Sequence, residues 1–275
     1  MSSALEQQAS YEGRLAADPR WALTEGSKHF EERSAVSQAL RKIVARLEEL
    51  EITYVIVGGM SLFAHGLRRF TEDVDILVRM SDLRTIHGKL VGLGYRRVFE
   101  GSRNLRDAEF GVRIEFLISG QYPGDGKPKP VEFPDPGRVA IELDGVKYLA
   151  LPTLIELKLA SGMTSSERIK DLADVQELIK ICKLARDFKA HLDPYVHGKF
   201  DELWDAALGA PKRFMVIWRD RSPEGMARLA AMKSDGVTMD PDAPGDDHAR
   251  LITSDPDIAA KYGMHDEAEF FDEEG

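Results

Sequence analysis

The chain has 275 residues, enough for one large domain or two small ones with a real core. Its 43% hydrophobic and 31% charged residues exclude a disordered or fibrous chain, and no apolar run approaches the roughly 18 residues needed to cross a bilayer, so no membrane partner is expected. The net charge of −10 resides in one segment, because Asp240 to Gly275 holds 12 of the 47 acidic and 2 of the 37 basic residues, leaving 35 of each elsewhere. A neutral body remains open to an anionic substrate, although strong polyanion binding would need a basic patch.

The start, Met-Ser-Ser-Ala-Leu-Glu-Gln-Gln, has neither the basic nor the apolar part of a signal peptide. Cys182 is the single cysteine, which leaves no internal disulfide and fits a cytoplasmic location. Residues 1–33 are polar with little periodicity and read as a loosely ordered lead-in. From Ala35 to Leu50, Val36, Leu40, Ile43, Val44 and Leu47 recur at three- and four-residue steps and predict an amphipathic helix. A β-branched run from Thr53 to Val57 ends in Gly58-Gly59 and reads as a buried strand. A short helix over Ser61 to His65 follows.

Asp73 to Val78 predicts the next strand, and Ser81 is placed to cap a helix reaching about Leu93. Further strands are expected at Tyr95–Phe99, Leu105–Phe110 and Val112–Ile118, then a long exposed loop over Gly120–Gly137. Asp144-Gly145 is a strong hairpin signal between Val139–Leu143 and Val146–Ala150. Helices are expected from Pro152 to Ser161, Ser166 to Cys182 and Phe188 to Leu208. Beyond Pro211 a strand at Phe214–Trp218 and a helix at Pro223–Met232 are the clearest features. The expected organisation is a lead-in (1–33), a core (34–182), a helical extension (183–239) and an acidic, flexible tail (240–275).

The chemistry concentrates at Asp73-Val74-Asp75. On a strand the two aspartates share one face, about 7 Å apart, while Val74 and Ile76 face the core. Burying two like charges is costly, so such a strand is either solvated on that side or built to hold a cation. Arg113-Ile114-Glu115-Phe116 repeats the alternation. If its strand neighbours the first, Asp73, Asp75 and Glu115 meet as a phosphoryl-transfer metal centre requires; otherwise Glu115 pairs with Arg113 or Arg106 on an exposed face. Mg²⁺ or Mn²⁺ suits three carboxylates plus phosphate. Upstream, Gly58-Gly59-Met60-Ser61 lets backbone N–H groups and the Ser61 hydroxyl approach a phosphate. No Gly-x-x-x-x-Gly-Lys-Ser/Thr loop, His-Glu-x-x-His, Cys-x-x-Cys or Gly-x-Ser-x-Gly occurs, which removes P-loop NTPases, zinc proteases and α/β-hydrolases.

A strand ending in Gly58-Gly59, then 13 intervening residues and Asp73-Val74-Asp75-Ile76, resembles the signature of DNA polymerase β-like nucleotidyltransferases. The fuller string His65-Gly66 … Arg69-Phe70-Thr71-Glu72-Asp73 is similar to bacterial AbiEii-like and minimal nucleotidyltransferases. Lys158, then Arg168-Ile169-Lys170-Asp171 and Asp174, matches a second block of those families. The resemblance spans about Ile52 to Ile181. It implies an α/β (α+β) nucleotidyltransferase core with a small mixed sheet, followed by a helical segment and the acidic tail. It also implies transfer of a nucleoside monophosphate from an NTP, such as ATP, to a hydroxyl of a tRNA end, a protein or a small molecule, with a cognate toxin or antitoxin as a possible partner. In that scheme Asp73, Asp75 and Glu115 hold metal and assist catalysis, and Lys158 and Asp174 complete the catalytic set. Gly58, Gly59, Ser61, Arg69, Lys170 and Asp171 would bind the nucleotide. A non-catalytic nucleotide- or partner-binding module of the same fold, and a metal-dependent glycosyltransferase with its Asp-x-Asp pair, are the rival readings. For Lys158 the alternative is a snorkelling side chain, and for Arg168 to Asp174 ordinary surface ion pairs.

Overall fold

The computed structural model describes residues 10–208, 213–240 and 249–266, and the chain divides into two compact units, Met1–Ala207 and Leu208–Gly275. Of the stretch expected to be a loose lead-in (1–33), residues 1–9 lie outside the described residues and most of the rest is helical instead. Helix α1 (Tyr11–Ala17) opens on Ser10, whose hydroxyl accepts the Gly13 N–H. Helix α2 (Pro19–Phe30) opens on Asp18, which accepts from Arg20 and Trp21 and is followed by proline at the first helical position. Tyr11 anchors the pair: it is 2% exposed, lies edge-on to Trp21 at 5.3 Å and donates its hydroxyl to Glu25 at 3.3 Å. Its backbone N–H also bonds to Gly111 O at 3.1 Å, so the segment is tied to the sheet region. One aromatic anchor carries what periodicity would otherwise have signalled.

Helix α3 (Ala35–Glu49) buries Val36, Leu40, Ile43, Val44 and Leu47, the stripe its spacing predicts, with each full burial contributing roughly 1.5–3 kcal/mol. Strands β1 (Tyr54–Ile56), β2 (Asp73–Val78), β3 (Tyr95–Arg97), β4 (Leu105–Asp107), β5 (Arg113–Ile118), β6 (Ala140–Leu143) and β7 (Val146–Leu149) form one seven-stranded mixed sheet in the order β3-β4-β5-β2-β1-β7-β6. The unit is thus a mixed α/β fold. β2 runs antiparallel to β1 and parallel to β5. On one face Val74, Ile76 and Val78 pack with α3 and with Ile86 and Leu90 of α5 (Met80–Leu90). On the other, Val55, Val57 and Leu77 pack with α6 (Leu151–Thr164) and α7 (Ile169–Ile181).

Several boundaries differ from expectation for local reasons. Helix α4 (Gly58–Ala64) begins at the glycines rather than at Ser61. Ser81 lies inside α5, which opens at Arg79 without a side-chain cap. The Asp144-Gly145 turn closes β6 onto β7 with φ of +51° and +75°, as a type I′ hairpin requires. The single helix expected over Phe188–Leu208 is broken into 3₁₀ turns at Arg186–His191 and Pro194–Val196 before α8 (His197–Leu208). Pro194 has no N–H to continue a helical ladder.

Among the described residues, the second unit holds a sheet where a helical extension and a flexible tail were expected. Strands β8 (Phe214–Trp218), β9 (Thr238–Met239), β10 (Ala249–Thr253) and β11 (His265–Asp266) form an antiparallel sheet in the order β11-β8-β10-β9. Helices α9 (Pro223–Ser234) and α10 (Pro256–Tyr262) contribute Met232 and Ala259 to a small core with Val237, Leu251 and Met264. Asp240, counted above as tail acidity, is buried and accepts from Arg213 and Arg250 at 3.2 Å each. Of the tail expected to be flexible, residues 241–248 and 267–275 lie outside the described residues. Among the described residues no helix is long and apolar enough to cross a membrane.

Candidate active site

The parallel register of β2 and β5 sets Asp73 beside Arg113 and Asp75 beside Glu115. With Val74, Ile76, Ile114 and Phe116 committed to the α3 face, alternation turns all three carboxylates to the opposite face. Asp73, Asp75 and Glu115 each offer an oxygen within 4.8 Å of the others, and each is half-buried. Three hard oxygen donors at this spacing fit a Mg²⁺-like ion that takes its remaining ligands from water or phosphate. Burial, then the charges of Asp73 and Glu115, push the Asp75 carboxyl up to about 7, against the opposing pull of Lys158 and Arg113. The cluster therefore carries more negative charge than its protein surroundings balance, the condition a bound cation relieves.

The glycine pair shapes this cradle. A Cβ on Gly58 would lie 1.9 Å from Asp75 Oδ2, and Gly58 has φ +59°. A Cβ on Gly59 would lie 2.7 Å from the Thr71 side chain, whose hydroxyl donates to Asp73 Oδ1 at 3.0 Å. Both glycines thus let α4 close onto the carboxylates. Gly58→Ala is expected to cost roughly 2 kcal/mol from the left-handed backbone alone, with further loss from displacing Asp75. Urea unfolding checks the first effect and Mn²⁺ titration the second, and an unchanged unfolding midpoint would contradict the packing role.

Arg113 is the cluster's internal counter-ion. Its guanidinium lies 3.1 Å from Asp73 and 2.8 Å from Glu115, so the pairing weighed for Glu115 exists alongside the carboxylate cluster. Removing this cation should favour a metal competing for the same oxygens. Arg113→Met is expected to tighten Mn²⁺ binding by about tenfold, equivalent to ~1.4 kcal/mol, while lowering metal-free stability. Calorimetric titration reads the first and thermal unfolding the second; weaker metal binding would show that Arg113 supports the ion instead.

A second ion cluster sits behind the triad. Lys158 Nζ, buried on α6, donates to Asp171 and Asp174 at 2.8 Å each. Asp174 also accepts from Arg69 at 2.5 Å, and Asp171 from Ser161 at 2.8 Å. Burial alone would raise the Asp171 carboxyl, but the Lys158 ammonium and hydrogen bonds from Lys158 and Ser161 hold it below its ordinary value. Arg69, Lys158, Asp171 and Asp174 are thus one network joining the loop before β2 to α6 and α7. Ser61 is fully buried, and its hydroxyl has no hydrogen-bond partner among the described residues. Lys170 is exposed and away from the cavity described next. His65 is packed, with Nε2 2.7 Å from Leu149 O.

A cavity of about 130 Å³ opens between the triad and α6–α7, lined by Gly58, Asp75, Glu115, Lys158, Arg168 and Asp171 among others. Lys170, the residue expected from its block, does not line this cavity; Arg168 does, with an exposed side chain that has no ion-pair partner among the described residues. A residue at the 3₁₀-to-helix junction, Ser166–Arg168 into α7, faces differently from one two positions on. Glu12 was missed as well: it accepts from Arg106 at 2.7 and 3.2 Å and lies 3.8 Å from Arg113. Only the alternation of a hidden helix could have signalled it.

No protein family matches the chain, and no curated protein does either. Among solved structures, a nucleotidyltransferase candidate from Thermotoga maritima is 19% identical with a TM-score of 0.30, covering 53% of this chain and 89% of its own. ANT(2")-Ia in complex with adenylyl-2"-tobramycin is 12% identical with a TM-score of 0.31, covering 72% of this chain and 97% of its own. A solution structure of the antibiotic-resistance factor ANT(2'')-Ia is 15% identical with a TM-score of 0.32, covering 71% and 89%.

Proposed function

We propose that the chain is a divalent-metal-dependent nucleotidyltransferase of the polymerase β-like kind, moving a nucleoside monophosphate from an NTP to a hydroxyl. The observation that carries this is the convergence of Asp73, Asp75 and Glu115 within 4.8 Å, beside a glycine turn that no other residue type could close. Asp73, Asp75 and Glu115 would hold Mg²⁺ or Mn²⁺, which supplies charge neutralisation at the triphosphate. The cavity is smaller than the roughly 300–1,000 Å³ of whole-ligand pockets, so it would take only part of a nucleotide. Among the described residues, Arg168 is the lining cation without an ion pair and would meet a phosphate there, with Gly58 on the same cavity. Lys158 and Asp171 act from behind, by fixing α7 and biasing the charge on Asp75.

In the transfer itself an acceptor oxygen forms a bond to Pα as the bond from Pα to the bridging oxygen breaks, and pyrophosphate leaves. The hydroxyl proton passes to a carboxylate, a role Glu115 would take. A tRNA end, a protein or a small molecule all supply such a hydroxyl, and an AbiEii-like toxin or antitoxin role is compatible with the first two. The test is incubation with each α-labelled NTP and Mg²⁺ or Mn²⁺, with total tRNA, cell lysate or no addition. Label should move to an acceptor with wild type and not with Asp73→Ala/Asp75→Ala. Equal labelling by that variant, or none by either protein with any NTP, would overturn the proposal.

A further inference from the structure

A cleft outside the carboxylate site has a volume of about 880 Å³ and is formed by α1, α2 and the Phe70–Glu72 segment that leads into β2. Its walls are nearly all apolar, from Leu15, Ala22, Leu23, Phe30 and Phe70. Leu23 is 75% exposed and Phe30 46%, so the helices present this surface to solvent rather than to the core. Two charged side chains reach the cleft, Glu12 and Glu72, and both are acidic. Glu12 is matched by Arg106. Glu72 is exposed and has no hydrogen-bond or ion-pair partner among the described residues. An apolar trough with one unmatched carboxylate at its edge complements an apolar body carrying one positive charge, and repels a polyanion.

The cleft also adjoins the triad. Glu72 directly precedes Asp73 in the chain, and Glu12 lies 3.8 Å from Arg113, the residue that holds Asp73 and Glu115. We infer that this cleft binds a small amphiphilic cation, its apolar part along α2 and its ammonium at Glu72, and that such a molecule carries the acceptor hydroxyl. The second half rests on the nucleotidyl-transfer reading; the first half does not.

Calorimetric titration of the full chain with n-octylammonium, 1-octanol and n-octanoate tests the binding without metal or NTP. Octylammonium should bind at least tenfold more tightly than octanoate, and Glu72→Gln should reduce that ratio below threefold. Gly26 lies on the cleft wall, and a Cβ there would have nothing within 4 Å, so Gly26→Leu should fill the trough and remove binding of all three. Leu23→Gln at an exposed position is a second blocking variant should Gly26→Leu fail to fold. Three probes bound alike, no octylammonium binding at millimolar concentration, or undiminished binding by a folded blocking variant would each overturn the site. In the labelling assay, saturating octylammonium should suppress transfer; transfer that proceeds unchanged would remove the acceptor role while leaving nucleotidyl transfer standing. Absence of all transfer would instead sink the enzymatic reading and leave the cleft's own binding result to stand or fall.

Discussion

Asp75→Asn is expected to abolish nucleotidyl transfer and, at the same time, to make the metal-free protein more stable at pH 8. The activity loss should be about 1,000-fold or more, equivalent to ~4 kcal/mol, because a neutral amide is a poor ligand between Asp73 and Glu115. The stability gain follows from the raised Asp75 carboxyl, which titrates at about 7 against an ordinary 3.8. A folded-state value above the unfolded one means that the folded protein holds the proton more strongly between those limits. Stability is then unpenalised below about pH 4, falls as pH rises toward 7, and stays reduced above it. Asparagine removes that penalty, on the order of 1–3 kcal/mol after relaxation of the site. Chemical unfolding at pH 5 and pH 8, without metal, reads the difference: the variant's advantage should grow with pH. The same proton competes with the metal, so wild-type Mn²⁺ affinity should fall by up to about tenfold per unit below pH 7. A variant advantage that is flat or shrinks with rising pH would contradict the assignment.

Lys158→Met should be the most destabilising single change in the first unit. It leaves Asp171 and Asp174 buried without their shared ammonium, a loss of about 3–5 kcal/mol for a broken buried pair. Arg69 remains on Asp174, so Asp171 should bear most of the cost. Lys158→Met/Asp171→Leu, which removes both charges, should recover part of the stability, as a double-mutant cycle by urea unfolding would show. A loss below about 1 kcal/mol would mean that the network is solvated and weak.

The legible parts of the molecule were those whose signal is local. The α3 stripe, the Asp144-Gly145 hairpin and the Asp73-Val74-Asp75 alternation each follow from spacing alone. The meeting of Glu115 with Asp75 needed one tertiary fact, that β2 and β5 are neighbours, and the parallel register supplies it. What spacing could not show was pairing between distant charges. Arg113 on Asp73, Glu12 on Arg106, and Lys158 between Asp171 and Asp174 all depend on which elements stack. The N-terminal helices were hidden because capping at Ser10 and Asp18 is visible only once a helix is suspected. The acidic C-terminal stretch misled because composition counts charges without showing that Asp240 is buried between two arginines.

The most direct measurement is the structure of the protein with Mn²⁺ and a non-hydrolysable NTP, read by anomalous scattering. Manganese density in contact with oxygens of Asp73, Asp75 and Glu115, at about 2.1–2.2 Å, with the triphosphate between Gly58 and Arg168, is the predicted result. Manganese and nucleotide bound elsewhere, with Arg113 still seated on Asp73 and Glu115, would contradict it.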